Sequence, residues 1–263
     1  MTYHIYAKTD TGRVRNNNED SIVFEESHRL LILADGMGGY NAGEIASSMA
    51  TTFINTEMTR WLTEVGDKVQ TRDVRRALEI CVNNANLEIL NAATANPAYA
   101  GMGTTLVVCV FLHNTLVVGH IGDSRCYRLR AGVLQAITRD HSLLQEQIDA
   151  GLVTPEEAVN SSIKNLVTRA LGVEVPALLE VNEFAVEPGD LYLLCSDGLT
   201  DMVPDSLSAK IAGSNLALNR KAEQLIDTAN DNGGRDNISV MLVTSQPIAP
   251  QRSWLDRLLG KKK

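Results

Sequence analysis

Five aspartates stand at the ends of predicted strands, each followed by glycine or a small polar residue: Asp20, Asp35, Asp123, Asp197 and Asp236. A carboxylate at the end of a buried strand is held rigidly at the sheet edge. Glycine beside it lets backbone oxygens and water approach an ion closely. Hard divalent cations such as Mg²⁺ or Mn²⁺ suit oxygen donors of this kind. A single Asp-Gly after a strand is ordinarily only a turn, so the weight lies on the set. Carboxylates that converged would repel one another, and bound cations are the usual way to offset that cost. Spacing along the chain leaves open whether they converge.

The elements that must position these residues follow from local pattern. Short apolar runs rich in Val, Ile, Leu and Tyr predict strands near 3–8, 21–25, 30–34, 104–112, 115–121, 125–130, 178–186, 190–195 and 238–244. The two runs that flank His113-Asn114 read as a hairpin, in an antiparallel rather than βαβ style. Helices are predicted near 42–63, 73–93 and 216–231. In the second, Val74, Ala77, Leu78, Cys81, Val82, Ala85 and Ile89 form one apolar stripe that needs a sheet beneath it. Asn41-x-x-Glu44 has the form of a capping box ahead of the first helix. Together these predict an α/β fold: a four-layer sandwich of two antiparallel β-sheets with helices on both outer faces.

Between residues 142 and 172 the pattern changes to short helical pieces, with Thr154-Pro155-Glu156-Glu157 as a capped helix start. After residue 244 a Pro-containing linker leads to a tail, 245–263 in all. There Trp254, Leu255, Leu258 and Leu259 share a short helical face ahead of three lysines. A frayed, solvated end is the expectation for this tail.

Composition narrows the classes. A chain of 263 residues with 44% apolar content describes one globular domain with a sizeable core. A formal charge of −8 offers no broad footprint for nucleic acid. The four cysteines form no CxxC pair and none begins a Cys-x5-Arg loop, so they read as buried thiols rather than zinc ligands or nucleophiles. No basic, apolar leader opens the sequence and no apolar run is long enough to span a bilayer, so a cytoplasmic protein is expected.

The ordered motifs resemble those of the metal-dependent, type 2C serine/threonine protein phosphatases. The first is Thr9-Asp10-x-Gly12-x-x-Arg15-x-x-Asn18-Glu19-Asp20-Ser21. Asp35-Gly36-Met37-Gly38-Gly39, Gly101-Met102-Gly103-Thr104-Thr105 and Gly122-Asp123-Ser124-Arg125 follow. Asp140-His141-Ser142, Thr168-Arg169-Ala170-Leu171-Gly172, Ser196-Asp197-Gly198-Leu199 and Asp236-Asn237-Ile238 complete the series. The likeness runs over about residues 5 to 244, and Met37 after Asp35-Gly36 resembles the bacterial branch.

The resemblance implies a catalytic domain over 1–244 with the 142–172 segment as a flap that tunes access and substrate choice. It implies hydrolysis of phosphoserine and phosphothreonine in proteins by a metal-activated water at a two-metal aspartate centre. Asp20, Asp35, the carbonyl of Gly36, Asp197 and Asp236 would hold two Mn²⁺ or Mg²⁺ ions, with Asp35 bridging them. Asp123 with Asp197 would hold a third. Arg15 would grip the substrate phosphate, since a guanidinium engages two oxygens at once. Glu19 would orient metal-bound water. The expected partners are phosphorylated proteins, substrates of a Ser/Thr kinase, and a monomer is expected.

Two positions depart from relatives. Met37 stands where some carry a histidine, and a thioether cannot protonate the leaving oxygen. Metal-bound water or bulk solvent must then serve, or His141 or another group must reach in. Tyr40 stands where bacterial relatives often carry histidine. His120 and His141 read as hydrogen-bonded structural histidines. A small-molecule phosphatase with the same metals and a silent binding protein on this fold stay open as alternatives.

Overall fold

Runs such as Leu30-Leu31-Ile32-Leu33-Ala34 have no polar side to offer water, so they can be buried only in a sheet covered on both faces. The computed structural model, which describes residues 1–39, 42–158, 163 and 166–247, has that arrangement. One sheet runs β1 (Thr2–Asp10), β11 (Ile238–Gln246), β10 (Leu191–Cys195), β7 (Arg125–Arg130), β8 (Val133–Ala136) in spatial order. The other runs β2 (Asp20–Glu25), β3 (Leu30–Met37), β5 (Leu106–Leu112), β6 (Thr115–Ile121), β9 (Glu180–Ala185). A short β4 (Gly103–Thr104) also pairs with β3. Pairing is antiparallel throughout, and the hairpin through His113-Asn114 forms as expected, with Leu112 opposite Thr115.

Alternation along each strand sorts side chains into three apolar layers. Leu30, Ile32, Val108 and Val110 face α1 (Ala42–Val65) and α2 (Thr71–Ala95). Leu31, Leu33, Val107 and Cys109 point the other way and meet Tyr192, Leu194, Met241 and Val243 between the sheets. Leu193, Cys195, Val240 and Leu242 pack beneath α6 (Asp205–Ala212) and α7 (Leu218–Asp231). Each fully buried leucine or isoleucine contributes about 1.5–3 kcal/mol, which leaves room for the sandwich to carry unfavourable charge at one edge.

The α2 stripe is buried as the spacing predicts, apart from Ala77, which is partly covered, and Asn86 joins it. Asn86 holds the chain after the flap, accepting from Gly172 N at 2.7 Å and donating to Glu174 O at 2.8 Å. The expected strand 104–112 divides, because the chain turns at Thr105 to donate to Asp35 O at 2.9 Å. Sequence reading passed over β8, a short and largely exposed edge strand, and α6, which is too short to show a clear apolar period. A one-turn α5 (Asp197–Thr200) follows β10.

Within the flap, α3 (Leu143–Asp149) and α4 (Pro155–Ala158) are short. Thr154 and Glu157 form a reciprocal cap, with Thr154 N donating to Glu157 Oε2 at 2.9 Å and Glu157 N to Thr154 Oγ1 at 3.3 Å. The four cysteines are buried and free. Strand β11 continues two residues past the predicted boundary; Tyr40, the Asn41 cap and the apolar face of the tail lie outside the described residues. Among the described residues no helix is long and apolar enough to cross a membrane.

Candidate metal and phosphate site

The strand register brings the aspartates together at one end of the sandwich. Asp20 opens β2 directly opposite Asp35 near the end of β3, a placement of like charges that destabilises a sheet unless something offsets it. Asp123 follows β6, Asp197 follows β10 as the first residue of α5, and Asp236 lies two residues before β11. The other four all act on Asp35. Burial, then Asp20, Asp197, Asp123 and Asp236 in turn, hold the Asp35 carboxyl well above the usual range. Burial, then Asp123 and Asp236, raise Asp197 strongly. Burial pushes Asp20 up to about 6. Asp123 rises to about 6 through burial and then Asp140. The sequence could not show this convergence, and the structure does.

Serine and asparagine side chains that sequence reading passed over fix these carboxylates. Ser196 Oγ donates to Asp20 Oδ2 at 2.8 Å and accepts from Ser239 N at 3.0 Å. The other oxygen, Asp20 Oδ1, is buried without a hydrogen-bond partner. Asn237 ties the 11–19 loop to β11: Oδ1 accepts from Glu19 N at 2.7 Å, and Nδ2 donates to Thr11 O and Asn17 O, both at 2.9 Å. Thr105 Oγ1 accepts from Asp35 N at 3.0 Å, and Thr104 Oγ1 donates to Asp35 O at 2.9 Å. Their signal was present in the Thr104-Thr105, Ser196 and Asn237 positions of the family motifs.

Gly36 explains the Asp-Gly pair on steric grounds. A Cβ there would lie 2.1 Å from Gly43 O and 2.7 Å from Glu19 O, so only glycine lets the start of α1 close against β3. Gly36 N donates to Glu19 O at 3.1 Å, and Ser47 Oγ on α1 donates to the same oxygen at 2.6 Å.

A cavity of 310 Å³ lies over the cluster, lined by Arg15, Glu19, Asp35, Gly36, Met37, Gly38, Thr105, Asp123, Val167, Asp197 and Asp236. Arg15 Nη2 reaches Asp236 Oδ2 at 2.6 Å. Burial raises Glu19 above the ordinary range, with Arg15 opposing. Met37 borders the cavity, whereas neither His120 nor His141 does, and no histidine is among its lining residues. A larger cavity of 610 Å³ adjoins it through Asp123 and Asp197 and extends between the flap, at Leu144 and Ile148, and Met202 and Pro204.

The donor set is all oxygen, partly desolvated and mutually repelling, and one buried carboxylate oxygen lacks a partner. Those are the properties of a site for hard divalent cations.

Known proteins share this architecture and sequence. The family profile described as Protein phosphatase 2C matches residues 12–242. The serine/threonine phosphatase Stp of Listeria monocytogenes is 40% identical over 248 residues, covering 91% of this chain and 95% of that protein. The Streptococcus agalactiae serine/threonine phosphatase superposes with a TM-score of 0.86 at 34% identity, over 93% of this chain and 100% of the other. The catalytic domain of the phosphatase PstP, solved in complex with 2 manganese ions, superposes at 0.80 with 38% identity, over 93% and 99%. With a family match that spans most of its length and relatives of this identity over nine-tenths of it, the chain belongs to the protein phosphatase 2C family and is a serine/threonine phosphatase.

Proposed function

We propose that the chain hydrolyses phosphoserine and phosphothreonine in proteins at a centre of two divalent cations, Mn²⁺ or Mg²⁺. Asp20, Asp35, the Gly36 carbonyl, Asp197 and Asp236 would hold the pair, and Asp123 with Asp197 a third ion. The observation that carries this reading is the cluster of carboxylates with mutually raised pKa values around one cavity, with Asp20 Oδ1 buried and unpartnered. When bound, such ions acidify water and neutralise phosphoryl oxygens.

The protein's own residues do the positioning. Asp35 is held through its backbone on both sides by Thr104 and Thr105, which fixes the point from which its carboxylate leaves the strand. Arg15 is half-exposed at the cavity mouth and already engages a carboxylate. A phosphate entering the site presents the same oxygen geometry and takes over one face of the guanidinium. Glu19, on the loop anchored by Asn237, stands beside Arg15 as the group that accepts from water in the cavity. With no histidine among the lining residues, the leaving serine or threonine oxygen takes its proton from solvent. The adjoining cavity, with apolar Leu144, Ile148, Met202 and Pro204, has the size and lining to receive residues on either side of a phosphorylated side chain. That favours a protein over a metabolite as substrate.

The test is phosphate release with Mn²⁺ from phosphothreonine and phosphoserine peptides and from small metabolite phosphates. A kcat/KM at least about 10-fold higher on the peptides is expected, since contacts beyond the phosphate add transition-state binding. Higher values on metabolites would make this a small-molecule phosphatase, and inertness on both with every metal would leave a binding protein.

Arg15→Lys separates grip from chemistry. Losing the bidentate fork is expected to raise KM for phosphopeptide by about 10-fold with a smaller change in kcat. An unchanged KM would remove Arg15 from the phosphate site.

A further inference from the structure

The Asp140-His141-Ser142 segment grips both ends of the Gly122-Asp123-Ser124-Arg125 turn. Arg125 is held by Asp140 through Nε to Oδ1 at 2.8 Å and Nη2 to Oδ2 at 2.6 Å. His141 holds Gly122 twice: its backbone N donates to Gly122 O at 2.9 Å, and its ring Nδ1 accepts from Gly122 N at 3.2 Å. Gly122 needs such a hold. Its φ is +100°, and a Cβ there would lie 2.7 Å from Thr105 Cγ2, so Gly122 has no side chain of its own to anchor it.

The donors and acceptors settle the ring's state. Gly122 N can only donate, so His141 Nδ1 carries a lone pair and the proton sits on Nε2, which faces Glu180 Oε2 at 3.4 Å. His120 stacks on this ring, with centroids 4.7 Å apart and planes at 12°. The second ring donates from Nε2 to Arg139 O at 2.8 Å and keeps a buried, unpartnered Nδ1. Burial, then His120, keeps His141 less basic than usual, which suits a neutral ring.

The same residue is the root of the flap. Thr168 N donates to His141 O at 2.8 Å, Ser142 pairs with Val167, and Leu143 N donates to Leu166 O at 2.9 Å. Val167 itself lines the catalytic cavity. On the other side of the turn, Ser124 Oγ lies 2.8 Å from Thr105 Oγ1, the atom that accepts from Asp35 N.

We propose that His141 is a positioning residue that couples the flap stem to the Asp123 turn, so that where the flap rests and how Asp123 presents its carboxylate are set together. This deepens the reading of Asp123 as ligand of a third ion and rests on it. The flap therefore communicates with the weakest ion through His141 and Gly122, without touching Arg15.

The experiment has a wild-type arm and a variant arm. In ¹⁵N-labelled wild type without metal, long-range histidine spectra should show His141 as the neutral Nε2–H tautomer; an Nδ1–H tautomer would overturn the proposal. His141→Asn keeps an acceptor at the place of Nδ1, whereas His141→Gln places its amide at the distance of Nε2. Amide exchange at Gly122 in metal-free protein should speed up by about 10-fold in the Gln variant and stay within about threefold in the Asn variant, as for loss and retention of one net hydrogen bond. By Mn²⁺ titration calorimetry, His141→Gln should weaken the weakest site about 10-fold, with no further loss in the double variant with Asp123→Asn. Additive losses, or unchanged Gly122 exchange in the Gln variant, would overturn the coupling. If Asp123→Asn alone leaves Mn²⁺ stoichiometry unchanged, the third-ion reading fails, while the tautomer and exchange data still decide whether His141 holds the turn.

Discussion

Asp35→Asn is expected to cut phosphate release from a phosphothreonine peptide by about 10³-fold or more, with or without added Mn²⁺, and at the same time to raise the melting temperature of the metal-free protein. The first effect follows because Asp35 is the carboxylate on which the four others act. An amide in its place offers a weaker, neutral donor at the centre of the ion cluster, at a cost of several kcal/mol in charge stabilisation. The second follows from the same geometry read without ions. Asp35 stands opposite Asp20 across the β2–β3 ladder, and a neutral isostere removes repulsion while the backbone bonds to Thr104 and Thr105 stay available. Relief of about 1 kcal/mol corresponds to roughly 2–4 °C for a domain of this size. Thermal melts in EDTA and phosphate-release assays in Mn²⁺ check the pair together. A variant that loses activity and stability in parallel would mark Asp35 as a structural residue, and one that keeps activity would end the two-metal reading.

Chelation is expected to abolish activity outright and Mn²⁺ to restore it, and the stability that Mn²⁺ adds should grow as pH rises. The folded, metal-free protein holds Asp20 and Asp123 at about 6 and Asp35 and Asp197 well above the usual carboxylate range, whereas the unfolded chain titrates near 3.9. These groups therefore bind more protons folded than unfolded. Their contribution to stability is fully present below about pH 4 and is lost as pH climbs through about 6 and beyond. Ion binding requires the ionised carboxylates, so it competes with those protons and becomes tighter over the same interval. The gap in melting temperature between Mn²⁺ and EDTA samples should thus be small near pH 5 and wide near pH 8. A gap that does not change with pH would show that the ions sit elsewhere.

The legible part of this fold was the part with a short period. The β3 run, the hairpin at His113-Asn114 and the α2 stripe are local patterns, and each formed where alternation or helical spacing placed it. Asp20, Asp35 and Asp197 were visible as acids at the ends of apolar runs, but their meeting depended on register. The contact that joins Arg15 to Asp236 spans a sequence separation of 221, which no local window contains. Asn86 within the α2 stripe reads as an interruption in sequence, and in space it is the residue that ties down Gly172 and Glu174. Strand β8 and helix α6 are short and peripheral, so their pattern is too brief to stand out. The family likeness supplied what periodicity could not, the roles proposed for Arg15, Glu19 and Asp123, and the experiments above address the first and the last of them.

Strand β11 is last in the domain yet interior to its sheet, between β1 and β10, with Asp236 just ahead of it. During synthesis, β1 and β10 must wait for it, and until it inserts, the first sheet is split and the set of carboxylates is incomplete. A ribosome-bound or truncated chain that stops short of β11 therefore can bring Asp20 opposite Asp35 in the second sheet but has no Asp236 in place beside them. A chain cut ahead of Asp236 is therefore expected to be inert toward phosphopeptides even where its second sheet has formed, because the first sheet closes only when its last strand enters between two that were made long before it.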